Sequence, residues 1–580
     1  METSYLRRPI PLGAIVLLTL VIYAPPLMMQ LPLTTSYDAN FHIFFASHYA
    51  QHWFNPWNEK WFAGFSQTTY PPLGHQWVAL LSYVVGLRMA FMLVQLLAVV
   101  LTPIGVYRFA RLWVSERASS YAALFSAFLG ILEFLVFSAG QLSTTLSLPL
   151  YLLAVPYFYH WVREADWRSL LKGLFFTLTA ASVHHVTLIF GSAMVVLPVL
   201  WLAFIDRKED SARAALLSRA VVFAVLAGVG VAIVLLPYWI AIIKHPIEQM
   251  PIPHASRSNL LLSLNYAINY FFVPYGALVL ALPFIVWLGA SQRRLRPLLL
   301  GFWVAFIFGL GGTTPLPKWL LGRAFEVLTF ERFTLLAAVL AMPFVGMLAE
   351  RAIDRAGAKA ALGFGLAAIV TLAIPMAWLN LSPFHPTSGM NVDSIISFLN
   401  RDNHDRYRYM TLGIGNALPK ISTYTEAPSV DGEYNSARLL PEMTQYGSAQ
   451  LTSAKYFGSA GMASLRAMLQ HADHYGLKYI FLHDPYYRPL LAFAGWRQIE
   501  SYDSGSIEVW VKDDAPPARP VESDAIPAPW EGLLWGTLPM ACSIISILLA
   551  LLLPDSLRAR EPLLEFPRPA EGVYAQEVRS

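Results

Sequence analysis

The segment from residue 31 to residue 77 concentrates the side chains of this chain that are able to do chemistry. It follows the first apolar run directly and is polar and rich in aromatic residues, whereas most of the remaining chain is apolar. A polar segment of this length beside a hydrophobic span requires a functional or a structural explanation. Its candidate residues are Asp38, His42, His48, His52, Glu59 and His75, together with tryptophans at positions 53, 57, 61 and 77.

We expect residues 36–54 to form an amphipathic helix at the membrane surface. Helical side chains that recur every three or four residues share one face. The stripe formed in this way consists of Asp38, His42, Phe45, Tyr49 and His52. Thr35 or Ser36 can cap the start of the helix. Asp38 then lies in the first turn, where the helix dipole favours an ionised carboxylate.

An ionised Asp38 supports two kinds of chemistry. It can act as a general base toward a hydroxyl group, or it can hold a divalent metal together with His42. The structural alternative is a carboxylate that only caps its own helix, with aromatic residues that form a membrane-interface belt.

The aromatic residues that follow Asp38 favour a binding surface over a belt. A belt needs no fixed sequence, whereas this segment contains a break at Gly64-Phe65 and a turn at Tyr70-Pro71-Pro72. Sugars are bound by aromatic faces together with orienting carboxylates. The predicted aromatic contacts to a substrate are Trp57, Trp61 and Tyr70.

The composition indicates a membrane protein with several spans. Of the 580 residues, 56% are hydrophobic and 13% are charged, whereas about 25% of the residues of a typical soluble domain are charged. The first apolar run, residues 10–30, lacks a small-residue cleavage site and is interpreted as a retained span. Cys542 is the only cysteine, so we expect neither an internal disulfide nor a cysteine-based metal site.

The distribution of Lys and Arg orients the spans, because cytoplasmic loops are enriched in these residues. The basic residues fall in short loops and form no patch of the kind that binds nucleic acid. Their alternation predicts about twelve spans and two cytoplasmic termini in the inner (plasma) membrane. The predicted spans are residues 10–30, 78–107, 118–138, 141–161, 169–184, 187–205, 219–243, 262–290, 297–313, 333–350, 360–380 and 533–554. Gly86 divides the second of these into a short interfacial helix and a true span.

The predicted domains are a transmembrane domain, an external α/β domain, a proline-rich linker, a last transmembrane helix and a disordered cytoplasmic tail. They cover residues 1–383, 384–515, 516–532, 533–554 and 555–580. The external segments are 31–77, 244–261, 314–332 and 381–532. The external domain contains strand patterns at 408–414 and 478–483 and a hairpin pattern at 496–512. The predicted fold class is therefore mainly α, with a small α/β domain before the last helix.

Three polar residues in or beside apolar runs are further site candidates: Glu133, His184 and His185. An ionisable residue within a span is costly and is a functional candidate by default. Glu133 could supply a second acid, or it could reach the membrane interface or pair with a neighbouring helix. The two histidines could contact a phosphate or a metal at an outer turn, or they could form an uncharged polar turn.

Five basic residues lie in the predicted outer segments 244–261 and 314–332, where Lys and Arg are not expected. They are Lys244, Arg257, Lys318, Arg323 and Arg332. A bound phosphate would explain them, because Arg binds phosphate in bidentate fashion. The alternatives are attraction to anionic lipid headgroups for the segment 244–261 and a structural pair to another helix for Arg332.

The segment after the first span resembles the first external loop of the GT-C superfamily, integral-membrane glycosyltransferases that use polyprenyl-phosphate-linked sugars. The resemblance rests on SYDANFH (36–42), WFAGF (61–65), YPPL (70–73) and FERF (330–333). The sequence is most similar to the bacterial and archaeal membrane proteins labelled with a 6-pyruvoyl-tetrahydropterin-synthase-related domain, and more distantly to oligosaccharyltransferases and protein mannosyltransferases. Many members carry paired acids where this chain has Asp38-Ala39-Asn40.

This resemblance implies a GT-C-like fold over residues 10–380 and transfer of a sugar from a polyprenyl-phosphate donor to a glycan, lipid or protein acceptor. Asp38 would be the catalytic base or a metal ligand, and direct displacement would invert the anomeric centre. Arg332 would hold the donor phosphate with help from Lys244, Arg257 or His185. The sequence specifies no cofactor, and a divalent metal on Asp38 and His42 stays open.

Three other classes of protein stay open. A lipid-linked oligosaccharide polymerase or ligase would use the same donors. A transporter or flippase commonly has a similar number of spans, although the two halves of this chain show no sequence symmetry. A scaffold without activity would keep the fold alone. No P-loop, G-x-G-x-x-G helix start, H-E-x-x-H or G-x-S-x-G motif points to different chemistry.

Overall fold

Helices form most of the structure, a computed structural model that describes residues 8–207, 212–246, 254–434, 437–445 and 450–554. In chain order the helices are α1 (Leu12–Met28), α2 (Pro32–Thr35), α3 (Ala39–Gln51), α4 (Leu73–Val85), α5 (Leu87–Ala110), α6 (Glu116–Ser126), α7 (Gly130–Glu133), α8 (Leu142–Glu164), α9 (Trp167–Val183), α10 (His185–Gly191), α11 (Leu197–Ile205), α12 (Arg213–Val234), α13 (Leu236–Lys244), α14 (Leu264–Ala267), α15 (Val273–Tyr275), α16 (Leu282–Ser291), α17 (Arg296–Gly309), α18 (Leu316–Leu321), α19 (Glu331–Ala356), α20 (Ala358–Leu381), α21 (Asp393–Leu399), α22 (Leu418–Thr423), α23 (Pro441–Thr444), α24 (Gly458–Gln470), α25 (Ala472–Tyr475), α26 (Arg488–Phe493) and α27 (Pro529–Leu552). The strands are β1 (Trp57–Asn58), β2 (Phe65–Ser66), β3 (Arg408–Leu412), β4 (Leu477–Leu482), β5 (Arg497–Tyr502) and β6 (Ile507–Val511).

Eight helical stretches of the described residues are long and apolar enough to cross a membrane, as judged by length and composition. They are Leu87–Ala110, Glu116–Ala139, His185–Ile205, Arg213–Val234, Leu264–Ser291, Glu331–Ala356, Ala358–Leu381 and Pro529–Leu552. The chain is thus a multi-pass membrane protein, as its hydropathy predicts. Four further predicted spans form α1, α8, α9 and α17, which are shorter or less apolar, so the number twelve stays a prediction.

Two details concern the ends of predicted elements. The apolar run 78–107 is divided at Gly86, whose φ is +78°, into the short α4 and the longer α5. The division agrees with the prediction of a short helix that leads into a span. The tail 555–580, which we predict to be disordered, lies outside the described residues.

A four-stranded sheet lies between α20 and α27 in the chain, and we call residues 384–515 the sheet unit. The strand order is β3-β4-β6-β5. β3 and β4 are parallel, and the other neighbours are antiparallel. All three strand patterns in the sequence therefore correspond to strands. The location of the sheet unit outside the membrane stays a prediction.

Helix α3 is buried rather than exposed at a surface. Its residues are buried from Ala39 to Tyr49. Helices α4 and α5 pack against α3, and so does α22 of the sheet unit. The predicted amphipathic surface helix is therefore wrong, because the sheet unit covers a face of α3 that the sequence pattern alone would leave to water.

Trp61 joins the 31–77 segment to the sheet unit. Its side chain is fully buried, and its ring stacks on Phe44 with the ring centroids 4.1 Å apart. Its Nε1–H donates to the Ser422 hydroxyl at 2.8 Å. Gly432 permits this packing, because an added Cβ would lie 2.8 Å from the Trp61 ring. Trp61 is therefore a core residue and not the substrate contact that the sequence suggested.

Replacement of Trp61 with Ala is expected to loosen this junction, because a buried ring and a hydrogen bond are lost at a cost of about 3–5 kcal/mol. Trp61→Phe keeps most of the ring packing and should cost less. The measurement is the rate of proteolysis within residues 57–69 of the purified protein in detergent, together with its melting temperature. Trp319→Ala removes a tryptophan that is 73% exposed and should change neither. Equal proteolysis of Trp61→Ala and the wild type would contradict this role.

Candidate active site

Backbone hydrogen bonds to a widened helical turn set the position of Asp38. Residues Phe134–Ala139 form a π-helical turn, a feature that is frequent at functional sites. The backbone N–H of Asp38 donates to the carbonyl oxygen of Ala139 at 2.9 Å, and that of Tyr37 donates to Ser138 at 3.1 Å. The turn therefore fixes the start of α3 at the end of a membrane helix.

Gly140 allows α3 to approach this turn closely. Its φ of +74° is a conformation that glycine adopts at little cost. An added Cβ would lie 2.5 Å from Ser36 Oγ and 2.7 Å from Ala39 N. Ser36 Oγ accepts the N–H of Ala39 at 3.3 Å, while the Asp38 side chain makes no capping hydrogen bond. The carboxylate of Asp38 is therefore not committed to a helix cap.

Asp38 lines a cavity of about 290 Å³, which we call the central cavity. Its polar lining residues are Asp38, His42, Tyr70, Gln141, Ser143, Thr144, His184, His254, Arg257, Glu326, Thr329, Arg332, Glu433 and Tyr434. Six of the predicted site residues thus meet here: Asp38, His42, Tyr70, His184, Arg257 and Arg332. Helices that are far apart in the sequence supply them, so the folded chain brings a carboxylate and two guanidinium groups into one space.

Arg332 carries a positive charge into the central cavity from the first turn of α19. One of its terminal nitrogens, Nη2, donates to Thr329 Oγ1 at 2.8 Å. Its Nε is buried and has no hydrogen-bond partner within the described ranges of the chain. The adjacent Glu331 is engaged elsewhere, since its Oε1 accepts from Gln141 Nε2 at 2.6 Å. Arg332 therefore retains a hydrogen that a bound anion could accept.

Arg257 brings a second guanidinium to the same cavity. Its Nε–H donates to the carbonyl oxygen of Leu328 at 2.9 Å. The backbone beside Arg257 packs against Gly311, where an added Cβ would lie 2.0 Å from the carbonyl oxygen of Ser256. The glycine-rich run at 309–312 thus allows the backbone of residues 256–257 to pack closely against it, and this packing holds Arg257 next to the start of α19.

Glu433 of the sheet unit supplies a second carboxylate, which the sequence analysis missed. Its Oε2 accepts from Gln450 Nε2 at 3.1 Å, and its Oε1 is buried with no hydrogen-bond partner among the described residues. The adjacent Tyr434 hydroxyl donates to the carbonyl oxygen of Thr69 at 2.7 Å. This bond ties the loop that carries Glu433 to the 31–77 segment.

The sequence analysis offered Glu133 as the second acid instead. Glu133 is 2% exposed and does not line the central cavity, because it precedes the π-helical turn and lies within the helix bundle. The available signal for Glu433 was the run Asp431-Gly432-Glu433-Tyr434, in which two acids and an aromatic residue surround a glycine.

The environment raises the pKa values of two of the three carboxyl groups that line the central cavity, those of Asp38 and Glu433. The pKa of Asp38 is raised to about 7, chiefly by burial and further by the charge of Glu331, while Arg332 lowers it. The pKa of Glu433 is raised to about 8 by burial and by the neighbouring charges of Asp431 and Asp38. Burial therefore brings the pKa values of both groups toward neutral pH, where a carboxyl group can exchange a proton with a substrate.

His42 lies in the cavity wall but is paired with another histidine. Its Nδ1 lies 2.9 Å from His75 Nε2, and burial holds the pKa of His42 well below its usual value. Across the described residues, no three or more His, Cys, Asp or Glu side chains are grouped so that they could hold a metal ion. Both predicted ligands, Asp38 and His42, line the central cavity, and a divalent metal on them stays a prediction.

The remaining predicted residues lie outside the central cavity: His185, Lys244, Arg323 and Trp57. His185 Nε2 is instead 3.0 Å from the hydroxyl of Tyr238, because consecutive helical residues point in different directions and only His184 reaches the cavity. Lys244 and Arg323 are exposed to solvent. Trp57 lines a different cavity.

Comparison with solved structures identifies the fold. No protein-family model matches the sequence, and a search of curated proteins gives no match. The structure is similar to the arabinofuranosyltransferase AftD from Mycobacteria, with a TM-score of 0.54, 14% identity and coverage of 87% of this chain and 40% of AftD. It is also similar to ArnT from Cupriavidus metallidurans bound to undecaprenyl phosphate, with a TM-score of 0.53, 10% identity and coverage of 90% of this chain and 100% of ArnT.

These similarities show a GT-C-like fold, which confirms the prediction from the 31–77 segment. The same ArnT in the apo state gives a TM-score of 0.51 at 12% identity. The chain spans less than half of the length of AftD and the full length of ArnT bound to its lipid.

Arg332→Gln is expected to raise the pKa of Asp38 by about one unit, because the opposite charge that favours the ionised carboxylate is removed. Infrared difference titration of the purified protein, with Asp38→Asn as the reference, should show the Asp38 carboxyl band persisting to higher pH than in the wild type, where the midpoint is about 7. Arg497→Gln removes a cation whose side chain is 62% exposed and that does not line the central cavity, so it should leave the midpoint unchanged. Coincident titrations of Arg332→Gln and the wild type would show that the two groups do not interact.

Proposed function

We propose that the protein is a membrane glycosyltransferase that moves a sugar from a polyprenyl-phosphate donor to an acceptor hydroxyl on the outer face of the inner membrane. The observation that carries this proposal is the meeting of Asp38 and Arg332 in one cavity. A base for the acceptor and a cation for a phosphate leaving group are the two groups that this reaction needs. The GT-C-like fold supports the proposal, and so does the undecaprenyl phosphate bound to the similar ArnT.

The donor phosphate binds at Arg332 in this proposal, with Arg257 as the second cation. Arg332 also lines a small apolar cleft between α8, α10 and the first turns of α19. The apolar lining residues of this cleft are Leu148, Val186, Phe190, Phe333 and Leu336. A lipid-linked phosphate would place its charged group on Arg332 and its isoprenoid chain along this cleft, because each part then meets a matching surface.

Asp38 removes the proton of the acceptor hydroxyl while the acceptor oxygen attacks the anomeric carbon. The bond from that carbon to the phosphate oxygen breaks, and the phosphate leaves with the electron pair. A phosphate is already a good leaving group, so the positive charge of Arg332 is sufficient to stabilise it. One direct displacement inverts the anomeric centre. His185, Lys244 and Arg323 take no part, since they lie outside the central cavity.

Glu433 donates a hydrogen bond in this mechanism. Burial and the neighbouring carboxylates raise the pKa of Glu433 to about 8, which favours the protonated form, and a protonated carboxyl group can donate to a hydroxyl of the sugar or the acceptor. The sheet unit therefore contributes a side chain to the reaction site. With the reaction on the outer face of the membrane, both termini are cytoplasmic and residues 384–532 are external in this proposal.

Asp38→Asn is expected to lower kcat by about 100- to 10,000-fold, because a general base is lost, while donor binding stays within about twofold of the wild type. The assay uses purified protein and the lipid-linked sugar that mass spectrometry identifies in the copurified lipid. Asp393→Asn removes a carboxylate whose side chain is 71% exposed and should keep full activity. Full transfer activity of Asp38→Asn would overturn the proposal.

Arg332→Gln separates donor binding from the proton transfer. The loss of a charge-assisted contact to phosphate should weaken donor binding by about tenfold or more and should also slow transfer. Asp38→Asn, in contrast, should slow transfer alone. The measurement is binding of the radiolabelled donor to each variant in nanodiscs, beside its rate of transfer. Donor affinity unchanged in Arg332→Gln would remove Arg332 from the phosphate site.

A further inference from the structure

A second and larger cavity lies where the 31–77 segment meets the sheet unit. Its volume is about 480 Å³, which is within the range of about 300–1,000 Å³ that small-molecule sites occupy. The end of α3, the segment around β1, the start of β3 and residues 518–520 line it. We call it the junction cavity. It shares no lining residue with the central cavity, so the proposed transfer reaction does not account for it.

Two of the residues that line the junction cavity each carry a buried donor without a partner among the described residues. Asn58 is 2% exposed, its Oδ1 accepts the N–H of Lys60 at 2.9 Å, and its Nδ2 has no hydrogen-bond partner within the described residues. Arg408 is also 2% exposed. Its terminal nitrogens donate to the carbonyl oxygens of Tyr475 and Arg519, while its Nε has no partner in the described structure.

The side chains of Asn58 and Arg408 are held in place, and their unpaired N–H groups lower the stability of the folded protein. Each is anchored by its other polar atoms, so it cannot turn to satisfy the remaining N–H. A buried donor without a partner costs about 1–3 kcal/mol, and most buried polar groups in proteins are paired. A ligand that offers oxygen acceptors to both groups would remove this cost.

Trp57 adds an aromatic surface to the same cavity. It lines the cavity, and its ring covers Gly64, where an added Cβ would lie 2.3 Å from the indole. The φ of +128° at Gly64 likewise excludes most other residues. The chain therefore holds the indole in one place, as a binding platform requires.

The charges around the junction cavity are mixed in sign. Lys60 Nζ and Glu426 Oε1 form an ion pair at 3.1 Å. The other charged lining residues are Glu59, Asp405, Arg406, Arg408 and Arg519. A phosphate or an acidic lipid headgroup would meet carboxylates here as well as cations. A polyhydroxyl ligand suits such a lining better, because each hydroxyl both donates and accepts hydrogen bonds.

We propose that the junction cavity is a saccharide-binding site. The free N–H groups of Asn58 and Arg408 bind hydroxyl or ring oxygens of the sugar, and one sugar face lies against Trp57. That the bound saccharide is a distal part of the acceptor rests on the proposed transferase function. The lining of the cavity on α3 begins at Phe44, six residues and about 9 Å along the helix from Asp38, so the cavity would hold a part of the acceptor chain apart from the reacting hydroxyl.

The test uses full-length protein in nanodiscs and a printed array of neutral and uronic-acid-containing glycans. The wild type should bind at least one glycan, and Asn58→Asp should bind it at least about tenfold more weakly, since one or more hydrogen bonds are lost. Asn58→Asp keeps an oxygen that accepts the N–H of Lys60 and replaces the free NH₂ donor with a negatively charged oxygen, which can accept but cannot donate. Trp57→Phe should also weaken binding, whereas Trp319→Ala should not. Melting temperatures of the variants establish that each is folded.

Two results would overturn the saccharide site. One is the absence of binding to every glycan on the array, and the other is affinity unchanged in both Asn58→Asp and Trp57→Phe. Displacement of the glycan by glycerol phosphate at equal concentration would assign the cavity to lipid headgroups and would also overturn it. Asp38→Asn should bind glycans like the wild type. Glycan binding by a protein with no transferase activity would therefore contradict the proposed function and leave the saccharide site standing.

Discussion

The contact between the π-helical turn 134–139 and the start of α3 is the constraint on which the site depends. At a membrane boundary, backbone groups that are buried in protein must find partners within the protein. The carbonyl oxygens of Ser138 and Ala139 are left free by the turn and accept the N–H groups of Tyr37 and Asp38. The need of these carbonyl oxygens for hydrogen-bond donors thus positions Asp38. Gly140 is small enough to permit the contact.

A balance of buried charges gives the central cavity its chemistry. The carboxyl groups of Asp38, Glu326 and Glu433 and the guanidinium groups of Arg257 and Arg332 line one space between the helices and the sheet unit. Burial disfavours every charged form, but an opposite charge restores it. Arg332 accordingly lowers the pKa of Asp38, while the charges of Asp431 and Asp38 raise that of Glu433.

The low sequence identity to structures of the same fold follows from the few demands that a membrane helix makes on its side chains. Identities of 14% and 10% accompany TM-scores of 0.54 and 0.53. Membrane helices need only apolar side chains of suitable size, so most positions can vary freely. The segment 31–77 is constrained differently, since Trp61 and Gly64 each meet a specific close contact. That segment therefore carries the recognisable pattern.

The amino-acid sequence determined the properties that depend on local composition and spacing. Hydropathy indicated the membrane helices, and strand patterns indicated β3, β4 and the hairpin of β5 and β6. The presence of basic residues on the predicted outer side singled out Arg257 and Arg332. Only the tertiary structure decided which polar groups meet. It placed Glu433 rather than Glu133 beside Asp38, and it buried Trp61 in the core. The periodicity of apolar residues indicates which face of its own helix or strand a side chain occupies. The contacts of Glu433 and Trp61 depend instead on how segments hundreds of residues apart pack together.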